Sequence, residues 1–132
     1  MSIETPFKKE LLKSIPAPLL EKVCTKVETE FGQIPFKCRG IKIKKELIRA
    51  TLEILNNEPS KRLPQNARNA IAEKTPDGLD KRIKLVLNDN LRTANIISDV
   101  LEAVGIVDVI IVKNPPTGRD VNGTQLRETW TW

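Results

Sequence analysis

Residues 90–122 decide the fold, and they read NLRTANIISDVLEAVGIVDVIIVKNPPTGRDVN. The apolar side chains of residues 91–104 recur at helical spacing and predict an amphipathic helix. Gly105 follows where a helix C-terminus favours a left-handed residue. Residues 106–112 are β-branched and apolar, which predicts a strand, and residues 113–123 are rich in Pro, Gly and Asn, which predicts a loop. The stretch therefore predicts a helix, a strand and a polar loop in succession.

The flanking segments extend this pattern on both sides. Residues 79–87 are apolar at 79, 83, 86 and 87 and predict a helix, which a short polar turn at 88–90 joins to the next one. Residues 124–132 alternate in polarity and predict a return strand. We expect Trp130 and Trp132 to anchor the C-terminus against the helices.

The N-terminal half predicts further helices. Pro16 and Pro18 separate the first helix from the second, and Gly32 ends the second. We expect helices from residue 5, over 19–31, over 41–56 and over 63–71, with a loop at 33–40 and a turn at 75–78. The chain is thus expected to be mostly α within the α+β class. A helical region at 1–62 would cap the core or mediate dimerisation, and a C-terminal unit at 63–132 would pack with it as one compact body.

The composition indicates a globular domain with a small hydrophobic core. The chain has 132 residues, of which 39% are hydrophobic, and it contains three Phe, two Trp and no Tyr. It has neither an apolar run of the roughly 20 residues that span a bilayer nor a basic and apolar start typical of a signal peptide. We therefore expect a cytoplasmic protein with no membrane partner. Cys24 and Cys38 could pair, but two free thiols fit a cytoplasmic protein better.

The positive charge is concentrated in the first half of the chain. The net charge is +5, and residues 1–66 carry 13 Lys and Arg against 8 Asp and Glu, whereas residues 67–132 carry 9 against 9. Such a basic cluster favours polyanions such as DNA or RNA, and the alternative is a solvated helix face. The cluster consists of Lys37, Arg39, Lys42, Lys44, Lys45 and Arg49.

A helix pair followed by a hairpin is suited to reading a nucleic acid. The second helix of such a pair buries one face and leaves its early polar side chains free for a major groove. Arg and Asn bond base edges bidentately, and Ser and Thr suit bases or phosphates. We expect base contacts from Arg92, Thr93, Asn95 and Ser98, wing contacts from Lys113 and Arg119, and phosphate neutralisation by Lys42, Lys45, Arg49, Lys81 and Lys84.

Residues 92–107, RTANIISDVLEAVGIV, resemble the recognition helix of the winged helix-turn-helix superfamily. The resemblance covers residues 79–132 and rests on a polar start, an aliphatic stripe and a Leu-Glu-x-x-Gly-aliphatic corner that leads into the wing. It implies a winged helix with an N-terminal helical extension, contact with double-stranded DNA and, for many such proteins, a homodimer. It equally implies a protein partner, since such domains also form subunit interfaces.

Two features argue against a protein that binds DNA through this helix and wing alone. Asp99 and Glu102 lie on the predicted recognition helix, and Asp120 lies beside Arg119 in the predicted wing. Phosphates repel exposed carboxylates at a groove. The wing half also carries no net charge, so the affinity would have to come from basic residues elsewhere in the chain.

The sequence offers little for catalysis. It has no His, so imidazole triads and imidazole metal ligands are excluded. Gly118 and Gly123 lack the following Lys-Ser or Lys-Thr of a phosphate-binding loop. We expect no enzymatic activity, no cofactor and no metal.

The tail at 116–130, PTGRDVNGTQLRETW, resembles the C-terminal ends of bacterial proteins linked to restriction-modification systems. This resemblance implies a DNA-recognition component of a larger DNA-processing system. The leading expectation is therefore a non-enzymatic DNA-binding protein, either a transcriptional regulator or such a component. The alternative is a protein-interaction module.

Overall fold

The fold comes from a computed structural model that describes residues 12–66, 78–87, 93–113 and 118–132. Within these ranges the chain is an α+β protein with four helices and two antiparallel sheets. In chain order, the elements are α1 (Ala17–Phe31), β1 (Phe36–Cys38), β2 (Ile41–Ile43), α2 (Lys45–Asn57), β3 (Arg62–Pro64), α3 (Leu79–Leu87), α4 (Thr93–Ala103), β4 (Val107–Lys113) and β5 (Asp120–Leu126), followed by a 3-10 turn at Glu128–Trp130.

Helix α2 forms the centre of the core. Leu47, Ile48, Ile54 and Leu55 are fully buried, and so is the Thr51 hydroxyl, which donates to the Leu47 carbonyl oxygen at 2.8 Å. Burial of an aliphatic side chain of this size stabilises the folded state by about 1.5–3 kcal/mol. Helix α1 covers α2 with the apolar stripe that its sequence predicts: Leu20, Val23 and Val27.

The larger sheet has the strand order β3-β5-β4 and is antiparallel throughout. The β4–β5 register runs from Val107 opposite Leu126 to Lys113 opposite Asp120. In this strand order, β5 is the central strand and β4 is an outer strand. It follows α4 directly, because Gly105 turns the chain with a φ of +81°.

The smaller sheet is a hairpin that the sequence analysis missed. Strands β1 and β2 are joined by the two residues Arg39 and Gly40, with φ values of +49° and +85°. Positive φ at both positions is the mark of a type I′ turn, whose twist suits a two-residue hairpin. The loop expected at 33–40 and the helix start expected at Ile41 are thus wrong, since helix α2 begins at Lys45.

Two further expectations are corrected at β3 and β5. Leu63 and Pro64 lie in β3, not at a helix start, and Pro is tolerated there because β3 pairs with β5 alone. The return strand is Asp120–Leu126, so it begins earlier and ends sooner than the expected range of 124–132.

Other expectations are confirmed. Helices over 19–31 and 79–87 correspond to α1 and α3, and the strand over 106–112 corresponds to β4. The helix expected over 91–104 corresponds to α4, with residues 91 and 92 outside the described residues. Trp130 is 9% exposed and belongs to the core, as an anchor should. Both cysteines are free. The helix expected from residue 5 lies outside the described residues except at 12–15, which are not helical, so its end is wrong. Residues 67–77, with most of the expected turn, also lie outside the described residues.

Candidate nucleic-acid interface

Helix α4 buries one side and exposes a polar stripe on the other. Ala94, Ile97 and Leu101 are fully buried against the core, because residues three and four apart share a helix face. The exposed side carries Asn95, Asp99 and Glu102, which follow the same spacing. We name these three residues the outer stripe.

Two residues that were expected on the exposed face are in the core. Thr93 and Ser98 are both 0% exposed. Thr93 lies one turn before Ile97, and Ser98 lies one turn after Ala94, so both share the buried side of the helix. The expectation that their hydroxyls face a groove is therefore wrong. Arg92 lies outside the described residues.

The Ser98 hydroxyl belongs to a buried polar cluster. It lies 2.6 Å from the Thr124 hydroxyl, which also accepts a hydrogen bond from Gln65 Nε2 at 3.1 Å. These three side chains join α4, β5 and the residue that follows β3. Their role is to satisfy one another inside the core, where an unpaired polar group is costly.

Asn95 is exposed and has a partner that the sequence analysis did not identify. Asn66 Nδ2 donates to Asn95 Oδ1 at 2.8 Å. This contact engages the Asn95 amide through its oxygen. No sequence signal singles out Asn66, because the contact joins residues 29 positions apart.

The two carboxylates of the outer stripe are engaged within the protein. Asp99 Oδ2 lies 2.6 Å from Arg39 Nη2, in an ion pair that is exposed on both sides. Hydrogen bonding to Asp99 raises the pKa of the Arg39 guanidinium, which keeps it charged. Glu102 Oε2 accepts a hydrogen bond from the Val109 backbone N–H at 3.1 Å. Asp99 is thus paired with a cation, whereas Glu102 keeps its charge and has one backbone donor.

The β4–β5 hairpin carries the residues expected to form a wing. Lys113 and Arg119 are both exposed, at the end of β4 and just before β5. Lys113 Nζ lies 2.8 Å from Asp120 Oδ1, and their side chains are 73% and 63% exposed. Ion pairs this exposed are worth about 0–1 kcal/mol, so Lys113 can exchange Asp120 for another anion at low cost.

The remaining basic residues of the candidate site differ in their exposure and in their ion pairs. Arg49 Nε lies 2.9 Å from Glu53 Oε2, which also accepts from the Ile15 backbone N–H, so Arg49 has a structural role. Lys45 Nζ is 4.0 Å from Glu21. Lys42 and Lys84 are exposed and form no ion pair with another described residue, and Lys81, on α3, is half-buried.

An open cavity of about 430 Å³ lies between α1 and the start of α2. Its lining mixes both charge signs and includes Cys24, whose pKa burial raises, so that the thiol stays protonated at neutral pH. Its residues are Glu21, Cys24, Thr25, Glu28, Ile34, Pro35, Lys42, Lys44, Lys45 and Glu46. This mixture selects neither an anion nor a cation.

Two negative findings apply to residues 12–66, 78–87, 93–113 and 118–132. No three Cys, Asp or Glu side chains come together there as a metal site, and none of the helices has both the length and the apolarity needed to cross a membrane. No family model, no curated protein and no solved structure matches this chain at a significant level.

Proposed function

We propose that this chain is a winged helix-turn-helix protein that binds double-stranded DNA without catalysing a reaction. It would act as a transcriptional regulator or as the DNA-recognition component of a larger DNA-processing complex. Helices α3 and α4 follow each other at short range, and the β4–β5 hairpin follows α4 directly. This succession supports a reading helix flanked by a wing.

The state of the outer stripe carries the proposal. Asp99 and Glu102 were the strongest sequence argument against a groove-facing helix. Arg39 pairs with Asp99, and the Val109 N–H donates to Glu102, while Asn66 contacts the exposed Asn95 amide through its oxygen. Asn is a side chain that bonds adenine edges in a major groove, and the engagement of both carboxylates within the protein supports such a role for α4.

Phosphate contacts would come from both sides of α4. Lys113 and Arg119 lie at the tip of the β4–β5 hairpin, and Lys84 is exposed on α3. Lys42 lies on β2, and Lys45 is the first residue of α2. Contacts of this kind supply most of the affinity for DNA and carry no sequence information.

A protein partner is the second candidate, and two exposed apolar side chains favour it. Leu85 on α3 is 50% exposed and Ile111 on β4 is 63% exposed. Either a second copy of the chain or another protein could cover them. This function predicts a change of molecular mass with concentration or with a partner, and no selection among DNA sequences.

The test is selection of duplexes from a randomised 20-base-pair pool by the wild-type chain and by Asn95→Ala. We expect the wild type to enrich a preferred sequence, and Asn95→Ala to lose about 1–3 kcal/mol of discrimination at one base pair. Asn66→Ala should weaken the same preference, because it frees the amide to rotate.

Gln33→Ala is the matched control, since it removes an exposed amide outside the outer stripe. It should leave the selected sequence unchanged. Absence of any duplex binding by the wild type at about 50 mM salt, where nonspecific contacts are strong, would refute the proposal.

A further inference from the structure

The β1–β2 hairpin brings two lysines of the same charge directly opposite each other. Lys37 pairs with Lys42 in the register of the two strands, and both side chains are exposed. Directly opposed residues of an antiparallel pair have Cβ atoms about 4.5–5.5 Å apart. Neither lysine forms an ion pair with any residue that the structure describes. We name Phe36–Ile43 the basic hairpin.

This pairing is unfavourable for the isolated fold. Like charges directly opposite each other destabilise a hairpin. The packing of the hairpin does not depend on them, because Phe36 and Ile43 contact the core from the other face of the strands. Glu at either position would give an opposite-charge pair and a more stable hairpin. An external anion would remove the repulsion equally well.

The hairpin also contacts the outer stripe. Arg39 lies at its tip and pairs with Asp99, one helical turn from Asn95. Four residues of α-helix span about 6 Å, and the major groove is about 12 Å wide. A duplex that received Asn95 in its major groove would therefore bring one of its phosphate backbones close to the basic hairpin.

We propose that the basic hairpin is a phosphate-contacting arm, in which Lys37 and Lys42 together grip one backbone of a DNA duplex at the rim of the groove that faces α4. The inference rests on the proposed function for the identity of the ligand. It adds a contact surface separate from the wing, one that neutralises charge and reads no bases. A duplex backbone fits better than an acidic protein segment, because the neighbouring stripe offers an amide and no exposed apolar side chain.

The test compares the variant K37A/K42A with the wild type in binding to a fixed 20-base-pair duplex, measured by fluorescence anisotropy between about 50 and 200 mM salt. Each lost phosphate contact lowers the slope of log affinity against log salt by about 0.9. We therefore expect the slope to fall by about 2 and the affinity at the lower salt to drop by at least tenfold. The preferred base sequence should stay the same.

The control variant is K13A/K26A, which removes the same charge from two exposed lysines outside the hairpin. Its slope should match that of the wild type. A second variant, K37E, replaces the like-charge pair with an opposite-charge pair across from Lys42, so it should unfold at a denaturant concentration no lower than the wild type while binding the duplex more weakly.

The outcomes separate this inference from the proposed function. Equal slopes for K37A/K42A and K13A/K26A would overturn the phosphate arm, whatever α4 does. A reduced slope in K37A/K42A, together with unchanged sequence selection by Asn95→Ala, would support the arm and refute the reading role of α4. Absence of duplex binding by the wild type would overturn both.

Discussion

Gly123 lies on the central strand β5, where its neighbours leave no room for a side chain. A Cβ atom at this position would lie 2.7 and 2.8 Å from the two Cγ atoms of Val112 and 3.1 Å from the Leu63 carbonyl oxygen. The φ angle of Gly123 is not in the left-handed region. Glycine is therefore needed at this position only because a side chain would not fit. Val112 occupies the room that a side chain at residue 123 would fill.

We expect Gly123→Ala to lower the free energy of unfolding by about 1–3 kcal/mol, the usual cost of overpacking, as measured by urea denaturation. Val112→Ala removes two of the three clashing atoms. The double variant should therefore be less destabilised than the sum of the two single variants. Strict additivity would mean that Val112 is not the obstacle.

Single polar residues were the hardest to predict from the sequence. Ser98 and Thr93 follow the buried spacing of α4, yet their hydroxyl groups suggested an exposed face. Ser98 is buried because Thr124, 26 residues away, satisfies its hydroxyl. The spacing of residues along α4 could have indicated that Ser98 is buried. Its hydrogen-bond partner, Thr124, could not be identified, because its position depends on the register of β5. The exposure of Asn95 was predicted correctly.

At the scale of elements, the run from α3 through β4 was predictable and the β1–β2 hairpin was not. The run carries strong helical periodicity, a glycine stop and a β-branched segment. Residues 41–44 alternate Ile and Lys, which suits a strand, but the apolar stripe of α2 starts three residues later and made one long helix the simpler interpretation. The turn also needs a positive φ at Arg39, which a non-glycine residue rarely adopts.

The outer strand β4 gives a second prediction, at the scale of elements. The Val109 N–H faces away from β5 and donates to Glu102, which links α4 to the strand that follows it and blocks part of an open sheet edge. Glu102→Ala should lower the free energy of unfolding by about 1 kcal/mol. Glu102→Gln retains an acceptor oxygen and should lose less than half of that. Equal losses in the two variants, measured by denaturant unfolding, would show that the charge and not the hydrogen bond matters.

At the scale of the whole molecule, Gln65 joins parts of the chain that no local pattern relates. Its backbone N–H donates to the Asn122 carbonyl oxygen at 2.9 Å, and its own carbonyl oxygen accepts from the Asp80 N–H at 3.0 Å. Its side chain donates to Thr124, which also contacts Ser98. One residue thus connects the end of β3, strand β5 and the start of α3, and through Thr124 it reaches α4.

The Thr124 hydroxyl is the shared atom of this cluster, and its removal tests how the helices are held on the sheet. Thr124→Val conserves the shape but leaves Gln65 Nε2 and the Ser98 hydroxyl buried without their partner. Each unsatisfied group costs about 1–3 kcal/mol, so for two groups we expect a loss of about 2–6 kcal/mol in the free energy of unfolding.

The matched control is Thr124→Ser, which keeps the hydroxyl and loses one methyl group, a cost of about 1 kcal/mol. Adding Ser98→Ala to Thr124→Val removes one of the two orphaned groups, so the double variant should be less destabilised than the sum of its parts. Because Ser98 lies one helical turn from Asn95 on α4, Thr124→Val should also weaken duplex selection at temperatures where the chain remains folded. A variant that loses stability but keeps wild-type selection would show that the cluster supports the core without orienting α4.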